Sequence, residues 1–380
     1  MTKSKKHILI LPSWYPNRFA KWNGVFNKAY ALGLSKKNSI SVLHVDHRDE
    51  VKEITINESW DGGFLTVKIC IPVKKGFFGK IKNFKTFMEA CYLGLDIIEQ
   101  KVSKINVCHN LVPWKMGLFA RELKKKRDIP FVSTIHATAY LPGAGGYSRL
   151  QLSSIKKILK EADAITTVSK SLLHSVNEFV PVKSKSKVIP NIVEWVELEH
   201  DLPKLENTFI HVSSLNIEQK NPLGIIRAIA AIPDAHLHIY GGYAGDGKEI
   251  VLDEIRTLGL ENRVAIFKEL EKKEMLQSLT QYEAMVHFSN FETFSLVIAE
   301  AVSMGLPVIY TASGGPEEYM TEFSGIQVAK NSSEELIHAM NKVLENKSNF
   351  DRIKIKEYYR NYFNNEKVSN DFSNLYEEIS

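Results

Sequence analysis

The sequence predicts an α/β protein of two doubly wound domains with mainly parallel sheets. Along most of the chain, short apolar runs of strand type alternate with helical stretches, the order in which helices cover both faces of a parallel sheet. The 380 residues, 44% hydrophobic and 24% charged, are enough for two separate cores. Lys plus Arg at 49 against Asp plus Glu at 44 leaves a formal charge of +5, too small to imply nucleic acid by itself. The three cysteines, Cys70, Cys91 and Cys108, form no C-x-x-C pair, so neither a disulfide framework nor a zinc site is expected, and a reducing cytosol fits. Residues 8–11 are too short an apolar run for a signal peptide, and no later stretch approaches the ~20 apolar residues of a membrane span. A soluble or at most peripheral protein is the expectation.

Taken in order, residues 7–11 read as a buried strand, followed by the loop Pro12-Ser13-Trp14-Tyr15-Pro16-Asn17 and a helix over 25–34. Gly24, at the helix entry, would let the backbone approach a phosphate or an acceptor closely; the plainer reading is a loop packed on the domain edge. Residues 40–45 and 64–71 are further strands. His44 and His47 lack a third ligand, so satisfied histidines are favoured over a metal pair. Residues 74–85, KKGFFGKIKNFK, hold Lys74, Lys75, Lys80, Lys82 and Lys85, three phenylalanines and no acid. That composition suits an anionic membrane surface, or else a solvated loop running into a core helix over 87–98. Strands over 106–109, 131–135 and 164–168 then alternate with helices over 114–126, 148–161 and 170–179. His136 ends one of these strands, a place where a lone histidine is usually structural. The charged stretch 194–207, with Pro203, reads as a linker.

The second half opens with a strand over 209–213, then Leu215 to Asn221 with Lys220 just before a helix. A strand over 237–240 leads into the glycine-rich turn 241–247, which lacks the G-x-G-x-x-G order of a dinucleotide site. The informative stretch is 288–318, FSNFETFSLVIAEAVSMGLPVIYTASGGPEE. A strand over 284–288 precedes it, an apolar helix over 295–304 ends at the stop signals Gly305 and Pro307, and another strand covers 308–310. Glu292 therefore lies on a loop at the carboxyl end of a parallel strand, where open α/β sheets bind ligands. The amides of Phe294, Ser295 and Leu296 fall in the helix's first turn, without intrahelical partners and at its positive end, which suits a diphosphate. Glu300 is on the same helix. Taken alone, E-x7-E is a weak signal, since a solvated loop acid and a helix surface charge would give it too. Gly314-Gly315-Pro316-Glu317 after the next strand adds context.

With those residues in place, the stretch resembles the signature of the retaining family-4, or group 1, glycosyltransferases. The resemblance covers most of the chain and is strongest over 209–320. It implies the GT-B architecture: two Rossmann-like domains facing across a cleft, with a C-terminal helix crossing back. The expected divisions are an acceptor-side domain over 1–190, a linker over 191–207, a nucleotide-sugar domain over 208–355 and a returning helix over 356–380. By resemblance, Glu292 contacts the donor sugar, Thr293, Phe294, Ser295 and Leu296 hold the diphosphate, and Glu300 binds the ribose. Lys220 matches the family's phosphate-binding lysine, whereas Ser214 stands where an arginine is usual. Gly24 falls on the donor side, Trp14, Tyr15 and Asn23 on the acceptor side, and His136 supports the donor sugar. Pro190-Asn191-Ile192-Val193 resembles the family's P-N-G-V exit from the first domain, with Ile192 in place of glycine.

The implied activity is retaining, metal-independent transfer of a sugar from a nucleotide-diphosphate sugar, UDP-sugars foremost, to a glycan or lipid-linked acceptor of surface polysaccharide or glycoconjugate synthesis. No Asp-x-Asp occurs in the sequence, so no metal and no cofactor is expected, a cation and helix amides standing in. Alanine at Glu292 or Lys220 should abolish transfer and leave the fold intact. A nucleotide-sugar 2-epimerase of the same architecture and a non-catalytic nucleotide-sugar-binding scaffold remain alternatives. A cytoplasmic location, or a peripheral one on the inner face of the membrane, goes with this reading.

Overall fold

The computed structural model describes residues 5–21, 23–181, 185–198, 200, 202–241 and 247–380; most of the glycine-rich turn, residues 242–246, lies outside them. The chain divides into two units. The first comprises Met1–Tyr140, Gly145–Ile192 and Asn365–Ser380, and the second Leu141–Ala144 and Val193–Asn364.

The first unit contains β1 (His7–Pro12), α1 (Val25–Ser35), β2 (Ser39–Arg48), β3 (Thr55–Asp61), β4 (Phe64–Pro72), α2 (Gly79–Lys101), β5 (Val107–Leu111), α3 (Lys115–Arg127), β6 (Phe131–Ile135), α4 (Arg149–Glu161), β7 (Ala164–Thr167), α5 (Lys170–Phe179) and β8 (Lys185–Val188). Its sheet runs β3-β4-β2-β1-β5-β6-β7-β8, parallel except for β3 against β4. β1 is buried at every residue, as a central parallel strand must be when helices lie on both faces. The sequence reading has no β3. This strand is mostly exposed at the sheet edge and so lacks an apolar run, yet Gly62 and Gly63, both at positive φ, make the tight turn that pairs Asp61 with Phe64.

The second unit contains β9 (Thr208–Ser213), α6 (Ile217–Lys220), α7 (Pro222–Ala230), β10 (His236–Gly241), α8 (Gly247–Thr257), β11 (Val264–Phe267), α9 (Lys272–Ser278), β12 (Met285–His287), α10 (Leu296–Ser303), β13 (Val308–Thr311), β14 (Gly325–Val328), α11 (Ser333–Glu345) and α12 (Arg352–Tyr362). Its sheet is wholly parallel in the order β11-β10-β9-β12-β13-β14. The order reverses between β9 and β12, which makes their carboxyl ends the topological switch point. α10 is buried on nearly all sides, Glu300 and Ser303 included, in keeping with its uniformly apolar sequence.

Three expected boundaries move. The helix expected over 87–98 begins at Gly79, so Lys80, Lys82 and Lys85 lie on it rather than on a loop. The tail expected as one helix over 356–380 is two, α12 and α13 (Asn365–Ile379), and only α13 joins the first unit. α10 opens at Leu296, with Ser295 outside it at φ 64°. His44 Nδ1 and His47 Nε2 lie 3.0 and 3.1 Å from the carbonyls of Pro12 and Asn83, while His44 Nε2 is buried without a partner among the described residues.

Candidate active site

Two short loops at the switch point of the second unit build the site. After β9, the Ser213 hydroxyl accepts from the Leu215 amide at 3.2 Å, and the Asn216 side chain caps α6 by accepting from the Gln219 amide at 2.8 Å. Asn221, at φ 46°, ends α6 and caps α7, where Pro222 occupies the first helical position. Lys220 is thereby fixed on the last turn of a four-residue helix. After β12, the Asn290 amide donates to Gln219 O at 2.8 Å and its side chain to Glu218 O at 2.7 Å, which clamps the second loop onto α6.

The clamp brings Lys220 Nζ to 2.6 Å from Glu292 Oε1, with both side chains largely withdrawn from water. His287, at the end of β12, puts Nε2 2.7 Å from the same oxygen and within 3.0 and 3.1 Å of the Ser289 and Ser295 hydroxyls. Burial keeps the imidazole neutral, so its Nε2 proton goes to the carboxylate, the strongest acceptor of the three. Burial alone would raise the Glu292 carboxyl, but the Lys220 ammonium and His287 outweigh it and hold the group at about 2. Glu292 is therefore an ionised acceptor at any physiological pH. Glu300 goes the other way: burial raises it, and the partly exposed Lys272 ammonium, paired with it from α9, does not fully compensate.

Between the two acids lies the amino end of α10. The first amide to close onto this turn is that of Ala299, to Ser295 O at 3.2 Å, so the amides of Leu296, Val297 and Ile298 have no partner within the helix. The Tyr319 hydroxyl donates to Phe294 O and Ser295 O at 2.8 and 3.1 Å, fixing the turn from behind. Ser295 at positive φ is a non-glycine residue in a sparsely populated conformation, the kind of outlier that clusters at ligand sites. Phe294 and Ser295, expected inside the first turn, lead into it instead, because the chain has to reverse there.

Lys220, Glu292, Thr293, Phe294, Ser295, Leu296 and Glu300 thus sit on α6, the loop after β12 and α10 of the same unit. Ser214 is exposed and brings no charge in place of an arginine. The other residues belong to the first unit, where the loop after β1 also lies at a switch point, between β1 and β5. There Gly24, at φ 70°, has a reason of its own within the protein: a Cβ would meet Trp14 O at 2.3 Å, so the glycine makes room for that carbonyl. Asn27 fixes the same carbonyl at 2.6 Å. Tyr15, expected on the acceptor side, is buried in the core with its ring 6.2 Å from that of His44, whereas Trp14 and Asn23 keep partial access to solvent. His136 is buried against the rings of Phe26 and Tyr30, and burial lowers it to about 3, which leaves it neutral.

Sequence reasoning missed His287, Lys272 and Tyr319. A histidine closing the strand five residues before Glu292 was a usable signal; Lys272 sits in a run of charges that looks solvated. The expectation that alanine at Glu292 or Lys220 spares the fold also changes. Removing Glu292 leaves the Lys220 ammonium buried without a counter-charge, and removing Lys220 leaves the Glu292 carboxylate with only the His287 hydrogen bond, at a cost of about 3–5 kcal/mol.

Two doubly wound units, with a lysine, two acids and an open helix end at one switch point, define the GT-B class. The chain belongs to the glycosyltransferase group 1 family: residues 197–362 match "Glycosyl transferases group 1" and residues 61–194 match "Glycosyltransferase Family 4". Among curated relatives, N-acetyl-alpha-D-glucosaminyl L-malate synthase of Bacillus anthracis is 26% identical over 55% of this chain and 57% of its own length. Glycogen synthase of Mycobacterium tuberculosis is 27% identical over 61% of this chain and 58% of its own. The chain thus spans less than two thirds of these relatives. Of solved structures, sucrose-phosphate synthase from Thermosynechococcus elongatus superposes with a TM-score of 0.78 at 18% identity, covering 98% of this chain and 99% of that one. Anabaena HepE in complex with UDP and glucose gives 0.72 at 15% identity, covering 98% and 99%.

Proposed function

We propose that this chain transfers a sugar from a nucleoside diphosphate sugar, a UDP-sugar foremost, to a glycan or lipid-linked acceptor, with retention and without a metal. The observation that carries the reading is the buried Lys220–Glu292–His287 cluster beside the unpartnered amides of α10. An ammonium has three donors and Glu292 takes one, so Lys220 can also donate to an arriving diphosphate. With the helix amides it would stabilise the charge that develops as the sugar leaves. Glu292, ionised throughout, accepts from a hydroxyl of the donor sugar and does not act as an acid. Glu300 accepts from the ribose. The leaving diphosphate departs as an anion and its oxygen takes the acceptor's proton, so no protein base is invoked. HepE, solved with UDP and glucose, supports the choice of UDP. Trp14 and Asn23 for the acceptor, a cytoplasmic location and a role in surface glycoconjugates belong to the same proposal.

The test is incubation with a panel of nucleotide sugars and acceptors in the presence of EDTA, reading released nucleoside diphosphate and the anomeric configuration of the product. Transfer with retention is expected. The double variant K220M/E292Q, which removes both charges at little change of volume, should lose at least a hundredfold in rate, as removal of transition-state donors does. Isomerised donor without transfer would show a 2-epimerase instead. Near-normal turnover in the double variant would overturn the site, and loss of activity in EDTA would overturn metal independence.

A further inference from the structure

The start of α2 and the turn before it present exposed apolar side chains flanked in sequence by lysines. Phe77 is 96% exposed, Phe78 60%, Ile81 70% and Phe84 52%, a concentration of large exposed apolar groups that isolated surface hydrophobics do not explain. The exposure is built in rather than frayed. The Asn83 side chain accepts from the Lys74 amide at 2.7 Å and donates to Lys74 O at 3.1 Å, while the Gly79 amide donates to Gly76 O at 2.9 Å. Gly76 takes φ 97°, and a Cβ on Gly79 would meet Lys74 O at 2.4 Å, so both glycines are needed to close this turn. From within the unit, His47 holds Asn83 O at 3.1 Å. The two phenylalanine rings pack edge to face, 5.1 Å between centroids, and point outward as one wedge.

Charge identifies the occupant. Lys74 and Lys75 precede the wedge in sequence and Lys80, Lys82 and Lys85 follow it, all five exposed, and residues 74–85 contain no acid. The nearest acids are peripheral: Asp49 at 3.6 Å from Lys75 and Glu89 at 3.8 Å from Lys85, both exposed pairs that salt and water weaken. Ile81 and Phe84, three residues apart, share one side of the helix, and Lys85 follows Ile81 by one turn. An acidic protein would satisfy the lysines but not four protruding apolar groups, and a second copy of this chain would oppose like charges. A bilayer with anionic headgroups satisfies both, taking the rings at the acyl boundary and the ammonium groups at the headgroups. We propose that the turn before α2 and the first two turns of that helix insert into the surface of an anionic lipid bilayer, an attachment that does not depend on the reaction the second unit performs. Among the described residues no helix is long and apolar enough to cross a membrane, and none is required for this mode of binding.

The test is flotation of the full chain, without donor or acceptor, on vesicles of phosphatidylcholine alone or mixed with phosphatidylglycerol. The chain should float with the mixed vesicles, poorly with the neutral ones, and less as salt rises. F77S/F78S should bind about tenfold more weakly or worse, from loss of the apolar wedge. K80Q/K82Q/K85Q should lose about a hundredfold, on the basis of about fivefold per lysine. All these positions are exposed, so the melting temperature should not move in either variant. Equal flotation on both lipids, or wild-type binding by F77S/F78S, would overturn the proposal. So would the finding that the chain ignores vesicles but self-associates through a contact that F77S/F78S abolishes.

Discussion

Glu292 and Glu300 are both buried, yet their surroundings drive them apart, and their linkage to stability has opposite sign. Glu292 is held at about 2 by Lys220 and His287 against the effect of burial. Its charge therefore stabilises the fold above the ordinary carboxyl range, and that contribution is lost as pH falls toward 2. Glu300 is raised by burial, only partly offset by Lys272. Its contribution is fully present below the ordinary carboxyl range and is lost as pH rises through the raised value, so at neutral pH its charge costs stability. A buried acid retained at a cost in stability fits a role in binding. Glu300→Gln should therefore melt about 2–4 °C higher at neutral pH, a gain of roughly 1 kcal/mol, while binding UDP about tenfold or more weakly because a hydrogen bond to a charged group is lost. In calorimetric titrations the wild type's affinity for UDP should fall more steeply than the variant's as pH is lowered through the Glu300 range. A variant that melts lower than wild type at neutral pH, or that shares its pH slope, would remove the argument.

At the scale of elements, the amino end of α10 is shaped by a neighbouring turn. Gly315 approaches so closely that a Cβ would meet Phe294 N, Thr293 C and Thr293 O, each at 2.5 Å, all of them backbone atoms with little room to give. Gly315→Ala must push residues 293–295 out of the position in which Tyr319 holds them. It should cost about 1–3 kcal/mol by denaturant unfolding, and at least tenfold in UDP affinity if those residues and the α10 amides hold the diphosphate. An alanine variant with unchanged affinity would show that the turn does not hold the anion. Much of this arrangement was legible in the sequence, because a strand, an acid, an apolar helix and a glycine pair follow one another without interruption. Lys272 and Tyr319 were not, since what they contribute is contact from another helix and a neighbouring turn, which no periodicity records, whereas His287 could have been found from its place at the end of the strand before Glu292. The start of α2 was missed for a related reason: its first turns carry exposed phenylalanines and lysines, so the apolar rhythm of a core helix begins only at Phe87. β3 escaped because an edge strand with polar outer positions has no apolar run, although the Gly-Gly turn beside it was readable.

At the scale of the molecule, the chain returns at its end to the unit where it began, and that return is part of the first unit's core. α13 buries Val368, Phe372, Leu375 and Tyr376 among residues of α1, β1, β2 and β5. The Tyr376 hydroxyl lies 2.6 Å from His109 Nδ1, and Ser369 donates to Gly33 O at 3.1 Å. His109, lowered to about 3 by burial, stays neutral, so the tyrosine bond satisfies a polar ring that water does not reach. At about 1.5–3 kcal/mol for each large buried side chain, the four residues contribute about 6–12 kcal/mol. That rivals the 5–15 kcal/mol that holds a typical domain together. The second unit draws on none of them, since its core is made of residues from its own strands and from α7, α8 and α11. Deleting residues 365–380 should therefore unfold the first unit and spare the second. Limited proteolysis of the shortened chain should leave a resistant fragment spanning residues 193–364, while the intact chain yields none. Phe372→Ala, which opens a cavity without removing the helix, should cost about 3–5 kcal/mol and lower only the transition of the first unit. If the shortened chain instead resists protease over residues 5–140 as the full chain does, α13 is an accessory to the first unit's core and not one of its walls.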